Sequence, residues 1–290
     1  MPQPACSIII RAHNEERHLG RLLEGIAQQT VKDVEIILVD SGSTDGTLAV
    51  AARYPVQVVH IAPEEFTFGR SLNLGIQAAN AELLVFASAH VYPVYPDWLE
   101  KLLAPFADPQ IALVYGKQRG GPSSKYSERQ IFASWYPDDA QQYQESPFCN
   151  NANAAVRRDL AIEHPYNETL PGLEDLDWAT RMMNAGYKIH YAPEAEIIHV
   201  HNETPRAVFN RYKREAIAFK HIYIHERFGF LDFVRLSARN IVRDMQNAAH
   251  DGELLHSFGS IIWFRLCQFW GTYQGYRYSG PLTWQLRQRF

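Results

Sequence analysis

The chain has 290 residues, of which 46% are hydrophobic and 21% charged, enough for one large domain, or one domain with an extension, around a substantial core. A formal net charge of -4 gives no field that would gather nucleic acid, and the basic residues are scattered until a mild bias begins after Pro205, so nucleic-acid binding is disfavoured. Cys6, Cys149 and Cys267 lack metal or redox spacing and are odd in number, which fits buried free thiols in a reducing compartment. With no basic leader and no window of ~18 uncharged apolar residues, the expected location is the cytoplasm.

In chain order, strands and helices alternate. "CSIII" reads as a strand and "EERHLGRLLEGIAQQ" as a helix with Leu19, Leu22, Leu23 and Ile26 on one face. "VEIILVD", "TDGTLAVAARY", "VQVVHI", "RSLNLGIQAAN" and "AELLVFAS" continue the alternation at crossover length. Unbroken apolar strands such as "EIILV" belong in a sheet buried on both faces, so the fold expected is α/β, a doubly wound, largely parallel sheet. Next come a helix in "YPDWLEKLLAPFAD", a strand in "IALVYGKQ" and a stretch from Gly120 to Pro147 that reads as loop-rich. "NAAVRRDLAI", a helix in "EDLDWATRMMNAG" and strand segments in "KIHYAPEAEIIHVH" follow, and beyond Pro205 the pattern is helical and aromatic.

Ligands of such sheets sit at the carboxyl ends of the strands, and three apolar runs end there in polar clusters: Arg11-Ala12-His13-Asn14-Glu15, Asp40-Ser41-Gly42-Ser43-Thr44-Asp45-Gly46, and Ser88-Ala89-His90. The three can converge on one crevice, which makes Arg11, Ser43, Ser88, Ala89 and His90 candidate nucleotide contacts. Asp40 followed by a glycine-containing turn has two readings of equal weight, a plain capped connection or a carboxylate that holds a base or ribose. The G-x-G-x-x-G and P-loop patterns are absent, against a dehydrogenase or an NTPase. In "PGLEDLDWATRMMNAGYKI" the acids Glu174, Asp175 and Asp177 open a helix whose Trp178, Met182 and Met183 can face the core. Helix capping explains any one of these acids, yet two adjacent carboxylates also suit a general base, with Asp175 first and Glu174 second.

Taken together, "SIIIRAHNEERHLGRLLEGIAQQT", "EIILVDSGSTDGT", "FGRSLNLGIQAANAELLVFASAH", "NNANAAVRRD" and "GLEDLDWATRMMNAGYKIHYAPEAEIIHVH" resemble glycosyltransferase family 2 in order and spacing, over roughly residues 5 to 215. The resemblance implies an inverting nucleotide-sugar transferase of the GT-A fold, with a Rossmann-like, mostly parallel sheet. The organisation expected is a GT-A domain over 1–204, its nucleotide half about 1–118 and its acceptor and catalytic half about 119–204, with a helical extension over 205–290. The resemblance assigns Ala12, Glu15, Asp40 and Arg70 to the nucleotide base and makes Asp175 the catalytic base.

Where members of that family usually carry Asp-x-Asp, this chain has Ser88-Ala89-His90. Three explanations compete: an inactive site; His90 as a neutral nitrogen ligand for Mn²⁺ or Mg²⁺; or a diphosphate neutralised without metal by Arg211, Lys213 and Arg214. His199 and His201 share one face of an extended segment, near the place where the family often has a metal-ligating histidine, so the candidate ligands are His90, His199 and His201. Acceptor or diphosphate contacts are expected from Lys117, Gln118, Arg119, Trp135, Asn150, Asn151 and Asn153, with Trp178 and Arg211.

The function expected is transfer of a hexosyl or deoxyhexosyl group from a UDP- or dTDP-linked sugar to a hydroxyl of a glycan or lipid-linked acceptor in surface polysaccharide synthesis. An inactive sugar-nucleotide or glycan-binding protein is the alternative. A nucleotidyltransferase would carry a Gly-rich loop where "RAHNEERHLG" stands. The aromatic stretch "IIWFRLCQFWGTYQGYRY" has three readings: a helix packed on the catalytic domain, a peripheral contact with the inner face of the membrane, or a homodimer contact.

Overall fold

The structure, a computed structural model, describes residues 3–282 and 286; the opening Met1-Pro2 and the last residues of the expected 205–290 extension, 283–285 and 287–290, lie outside the described residues. Its elements in order are β1 (Cys6–Ala12), α1 (Glu16–Ala27), β2 (Val34–Asp40), α2 (Thr47–Ala51), β3 (Val56–His60), α3 (Phe68–Ala78), β4 (Leu83–Ser88), β5 (Val91–Pro93), α4 (Trp98–Leu103), β6 (Ile111–Gly120), α5 (Tyr126–Trp135), β7 (Asn153–Arg157), α6 (Arg158–Glu163), α7 (Glu174–Asn184), β8 (Lys188–His199), α8 (Pro205–Ile222), α9 (Phe230–His250) and α10 (Leu254–Arg277).

Two compact units divide the chain. The first takes residues 1–119, 136–169 and 174–199, and the second takes 120–135, 170–173 and 200–290.

The first unit holds an eight-stranded sheet in the order β3-β2-β1-β4-β7-β6-β8-β5. The strands β3, β2, β1 and β4 run parallel, and β7 joins β4 antiparallel. Ile8 faces Ile36 on one neighbour and Val85 on the other, all buried, which is why these runs are apolar at every position and not only at alternate ones. Leu19, Leu22, Leu23 and Ile26 of α1 recur at helical spacing and pack into the same core as Ile8, Leu38 and Val85. The Thr67 side chain caps α3 by accepting the Arg70 amide at 2.9 Å. Because β2 and β4 flank β1 on opposite sides, the chain reverses its winding direction there, and a crevice opens outside the carboxyl ends of β1 and β4. That is where Ala12, Glu15 and His90 stand.

The segment read as loop-rich between Gly120 and Pro147 contains a helix, α5, with Tyr126, Ile131 and Phe132 buried. Its apolar positions are too few to show a period, and its flanking Gly, Ser and Pro residues dominate the local pattern, so packing decides the helix where propensity does not. The strand segments expected over 188–201 are one strand, β8, that runs through Pro193. All three cysteines are free; Cys6 and Cys149 are buried and burial pushes the Cys6 thiol up to about 12, so it is inert.

In the second unit α10 lies close along α8, an approach that two glycines permit. A Cβ on Gly271 would stand 2.5 Å from the Phe209 carbonyl oxygen, and one on Gly275 would stand 2.4 Å from that of Lys213. Arg265 of α10 is buried against Asp244 of α9 in a two-pronged pair at 2.7 and 3.0 Å, and its remaining nitrogen donates to Gln268 Oε1 at 2.9 Å. Removing one partner of such a pair leaves a charge buried without compensation, so Arg265→Ala should lower stability by about 3–5 kcal/mol in denaturant unfolding. A loss below 1 kcal/mol would mean that Asp244 finds water or another cation.

Candidate active site

The first unit gathers its polar groups after β1, after β2 and at the start of α7. Asn14 adopts a left-handed conformation (φ 57°) that turns the chain sharply out of β1, and its side chain accepts the Thr44 amide at 2.8 Å. Its own amide donates to Ser43 Oγ at 2.9 Å. Asp40 is buried at the tip of β2 and its carboxylate accepts the amides of Gly42 and Ser43 at 3.2 Å. Ala12 contributes through its backbone, its carbonyl accepting the Ser41 amide at 3.0 Å. Arg70 stands between Glu65 and Glu168, at 3.5 and 3.6 Å.

Glu15 links β1 to β4. Its amide donates to Thr47 Oγ1 at 2.7 Å and its carboxylate lies 2.8 Å from His90 Nδ1. The His90 ring stacks on His199 with centroids 5.1 Å apart, and His199 Nδ1 is 2.8 Å from Gln118 Oε1. Both imidazoles thus have an oxygen within hydrogen-bond range of Nδ1, an arrangement that orients the ring and that accompanies metal-ligating histidines. His201 belongs to the second unit, where it lies 2.8 Å from Glu128 Oε1. Ser88 ends β4 and Ala89 is fully buried.

Glu174 and Asp175, at the start of α7, are both buried, and Asp177 is half-buried. Arg11 donates to Glu174 at 2.8 Å, in a pair that solvent scarcely reaches. Asp175 accepts the Asn151 amide at 3.2 Å and the Leu176 amide at 2.8 Å. Desolvation, with the neighbouring Glu174 charge second, raises the Asp175 carboxyl to about 7, against the pull of its two amide donors and of Arg11. A buried carboxylate that titrates near neutral pH is suited to take a proton from a hydroxyl.

The remaining expected residues fall in different settings. Lys117 pairs with Asp138, and Arg119 with Glu196 at 2.9 Å. Asn153 is interior: its amide accepts Trp98 Nε1 at 2.8 Å and donates to the carbonyls of Lys117 and Ala195 at 3.1 and 2.7 Å. Trp178 is interior too, donating to the His164 carbonyl at 2.7 Å and stacked on Tyr166, so neither presents a surface to a sugar. Arg211, in the second unit, pairs with Glu128 at 3.0 Å and Glu203 at 2.7 Å. Burial raises the Glu128 carboxyl, while Arg211 pulls it down. Sequence reasoning named Arg11, Glu15 and His199, and Glu174, His90 and Gln118 as well, but not that the two sets pair, because the partners lie 75 or more residues apart along the chain.

The mostly parallel sheet, the crevice and the buried carboxylate accord with the GT-A fold of the glycosyltransferases that the chain resembles in structure. The sequence model described as "Glycosyl transferase family 2" matches residues 7–164, and the chain belongs to that family. It is 30% identical over 219 residues to the O-antigen chain rhamnosyltransferase RfbN of Salmonella typhimurium, covering 71% of this chain and 69% of that one. It is 29% identical over 229 residues to the O-antigen chain rhamnosyltransferase WbaN of Salmonella anatum, covering 72% and 70%. Among solved structures, the mannosyltransferase PcManGT from Pyrobaculum calidifontis, described in complex with GDP-Man and Mn²⁺, superposes with a TM-score of 0.63 at 20% identity, over 95% of this chain and 85% of that one.

The raised Asp175 value carries a stability signature. A carboxyl raised on folding stabilises fully below its unfolded value of ~3.9, and that contribution is lost as pH rises through about 7. Melting temperature should therefore fall between pH ~4 and ~7, and Asp175→Asn should flatten that fall. Equal slopes in the two proteins would place Asp175 in an ordinary solvated setting.

Proposed function

We propose that this glycosyltransferase moves a deoxyhexosyl or hexosyl group from a UDP- or dTDP-linked sugar to a hydroxyl of a glycan or lipid-linked acceptor in surface polysaccharide synthesis, with inversion. The observation that carries the reading is Asp175, a buried carboxylate titrating near neutrality at the start of α7. The rhamnosyltransferase relatives support a deoxyhexosyl donor and a polysaccharide product.

In this reading the donor base and ribose lie against the turns after β1 and β2, where Asp40 shapes the loop and Arg11, Ala12, Glu15, Ser43 and Arg70 line its approach. The acceptor hydroxyl approaches the anomeric carbon on the face opposite the diphosphate. Asp175 takes its proton while the bond from the anomeric carbon to the diphosphate oxygen breaks, so one displacement inverts the centre and releases a nucleoside diphosphate. Arg11 pairs with Glu174, and Asp175, raised to about 7, is the carboxylate that takes the proton in this reading.

His90 and His199 fit a divalent cation, because imidazole nitrogen is a common ligand of such ions, the two belong to one group of closely spaced donors, and an oxygen at Nδ1 orients each ring. His201 stands two residues beyond His199, with a carboxylate at its own Nδ1. A cation such as Mn²⁺ would neutralise charge on the leaving diphosphate. The Mn²⁺ in the mannosyltransferase complex supports this assignment.

Two measurements test the proposal. Asp175→Asn keeps the shape but accepts no proton, so transfer from the sugar nucleotide should fall by ~10² or more while donor affinity in calorimetry is retained. Turnover near the wild-type value would move the base elsewhere. Removing metal with a chelator should weaken donor binding in the wild type and leave a His90→Ala, His199→Ala variant unchanged. A wild type indifferent to chelator would rule out the histidine ligands.

A further inference from the structure

The second unit carries a surface that the transfer reaction does not use. Between Leu254 and Tyr276 of α10 a single ionised side chain occurs, Arg265, and it is buried against Asp244. The outer line of the helix is therefore uncharged: Leu255 is 98% exposed, and Phe258, Leu266 and Trp270 are exposed at helical spacing, with the half-buried Ile262 on the turn between Phe258 and Leu266. An outward line of large apolar side chains of this kind calls for an apolar environment beyond the fold. On α9, Leu231 (82% exposed), Val234 and Val242 form a similar line, at helical spacing with Ala238 between them. Beside it run Arg235, Arg239 and Arg243, each one turn from the last and each exposed. Arg235 pairs loosely with Asp232 at 3.4 Å; among the described residues the other two have no carboxylate in ion-pair range.

We infer that the outer faces of α9 and α10 dock on an anionic phospholipid bilayer, their apolar side chains entering the headgroup region and the three arginines meeting lipid phosphates. Charge complementarity selects this occupant. A second copy of the chain would have to cover three guanidinium groups with a face whose acids on α9 are the half-buried Asp232 and the buried Asp244 and which has none along α10. The connecting turn offers Asp251 and Glu253, already engaged by Tyr126 and Arg129. A nucleic acid would meet the arginines but leave Leu231, Leu255 and Phe258 in water. An interfacial helix pairs an apolar line with a basic one, and no helix among the described residues is long and apolar enough to cross a membrane. The docking gives physical form to the lipid-linked acceptor in the proposed function, yet every residue in it lies in the second unit, so it can fail while the chemistry stands.

Sedimentation of the full chain with vesicles tests the inference. The wild type should pellet with equimolar phosphatidylcholine and phosphatidylglycerol, stay largely in the supernatant with phosphatidylcholine alone, and be released by high salt. An arginine near an anionic surface strengthens partitioning roughly fivefold, so Arg235→Glu, Arg239→Glu and Arg243→Glu together should weaken it by on the order of 10²-fold or more. Leu255→Ser with Phe258→Ser should weaken binding to the same vesicles, because the apolar contact is lost. Both variants should keep donor binding and the wild-type circular dichroism spectrum, which separates lost docking from lost folding or lost chemistry. A wild type that ignores both vesicles, a triple variant that pellets like the wild type, or a stable dimer that these substitutions dissociate would each overturn the inference.

Discussion

Burial of Asp175 beside Glu174 is the constraint on which the site depends. Two carboxylates at neighbouring positions of one helix, both shielded from water, repel each other, and the arrangement is tolerable because a cation sits next to one of them. Arg11 supplies that cation from the end of β1, 163 residues earlier in the sequence. The ion pair therefore ties the start of α7 to the end of β1, and it distinguishes the two acids: Glu174 is held by the guanidinium, while Asp175, accepting two backbone amides, is raised to about 7. The setting that readies Asp175 for proton transfer also lowers the stability of its ionised form, a cost that the fold absorbs elsewhere.

The parallel strands make this meeting place. Because β1 lies between β2 and β4, the turns that follow all three open at one end of the sheet, and short hydrogen bonds then fix each turn: Asp40 to the amides of Gly42 and Ser43, Asn14 to Thr44, Glu15 to Thr47 and His90. By accepting these amides the Asp40 carboxylate holds the shape of its own loop. His90 and Glu15 stand as a unit, so the histidine at the tip of β4 is oriented by a carboxylate from the neighbouring loop, as metal-binding imidazoles are.

Much of this was legible in the chain. The alternation of apolar runs with amphipathic stretches such as Leu19, Leu22, Leu23 and Ile26 announced a doubly wound sheet, since a strand buried on both faces and a helix buried on one leave different periods in the sequence. The two acids at 174 and 175 were visible as a helix start. What their partners would be was not, because pairs such as Arg11 with Glu174 or His199 with Gln118 are set by tertiary approach, and local pattern carries no trace of it. The same blindness hid α5, whose helical state depends on burying Tyr126, Ile131 and Phe132, and let Asn153 and Trp178 read as sugar contacts when packing encloses both.

The central claim is that Asp175 acts as the base and that Arg11 sets its proton affinity through Glu174. The acid limb of the pH dependence of kcat/KM, compared between the wild type and Arg11→Met, tests it most directly. The account predicts an inflection near 7 in the wild type, displaced to higher pH in the variant because Glu174 then acts on Asp175 without its counter-charge. An inflection in the ordinary carboxylate range of ~4, unmoved by the substitution, would contradict it.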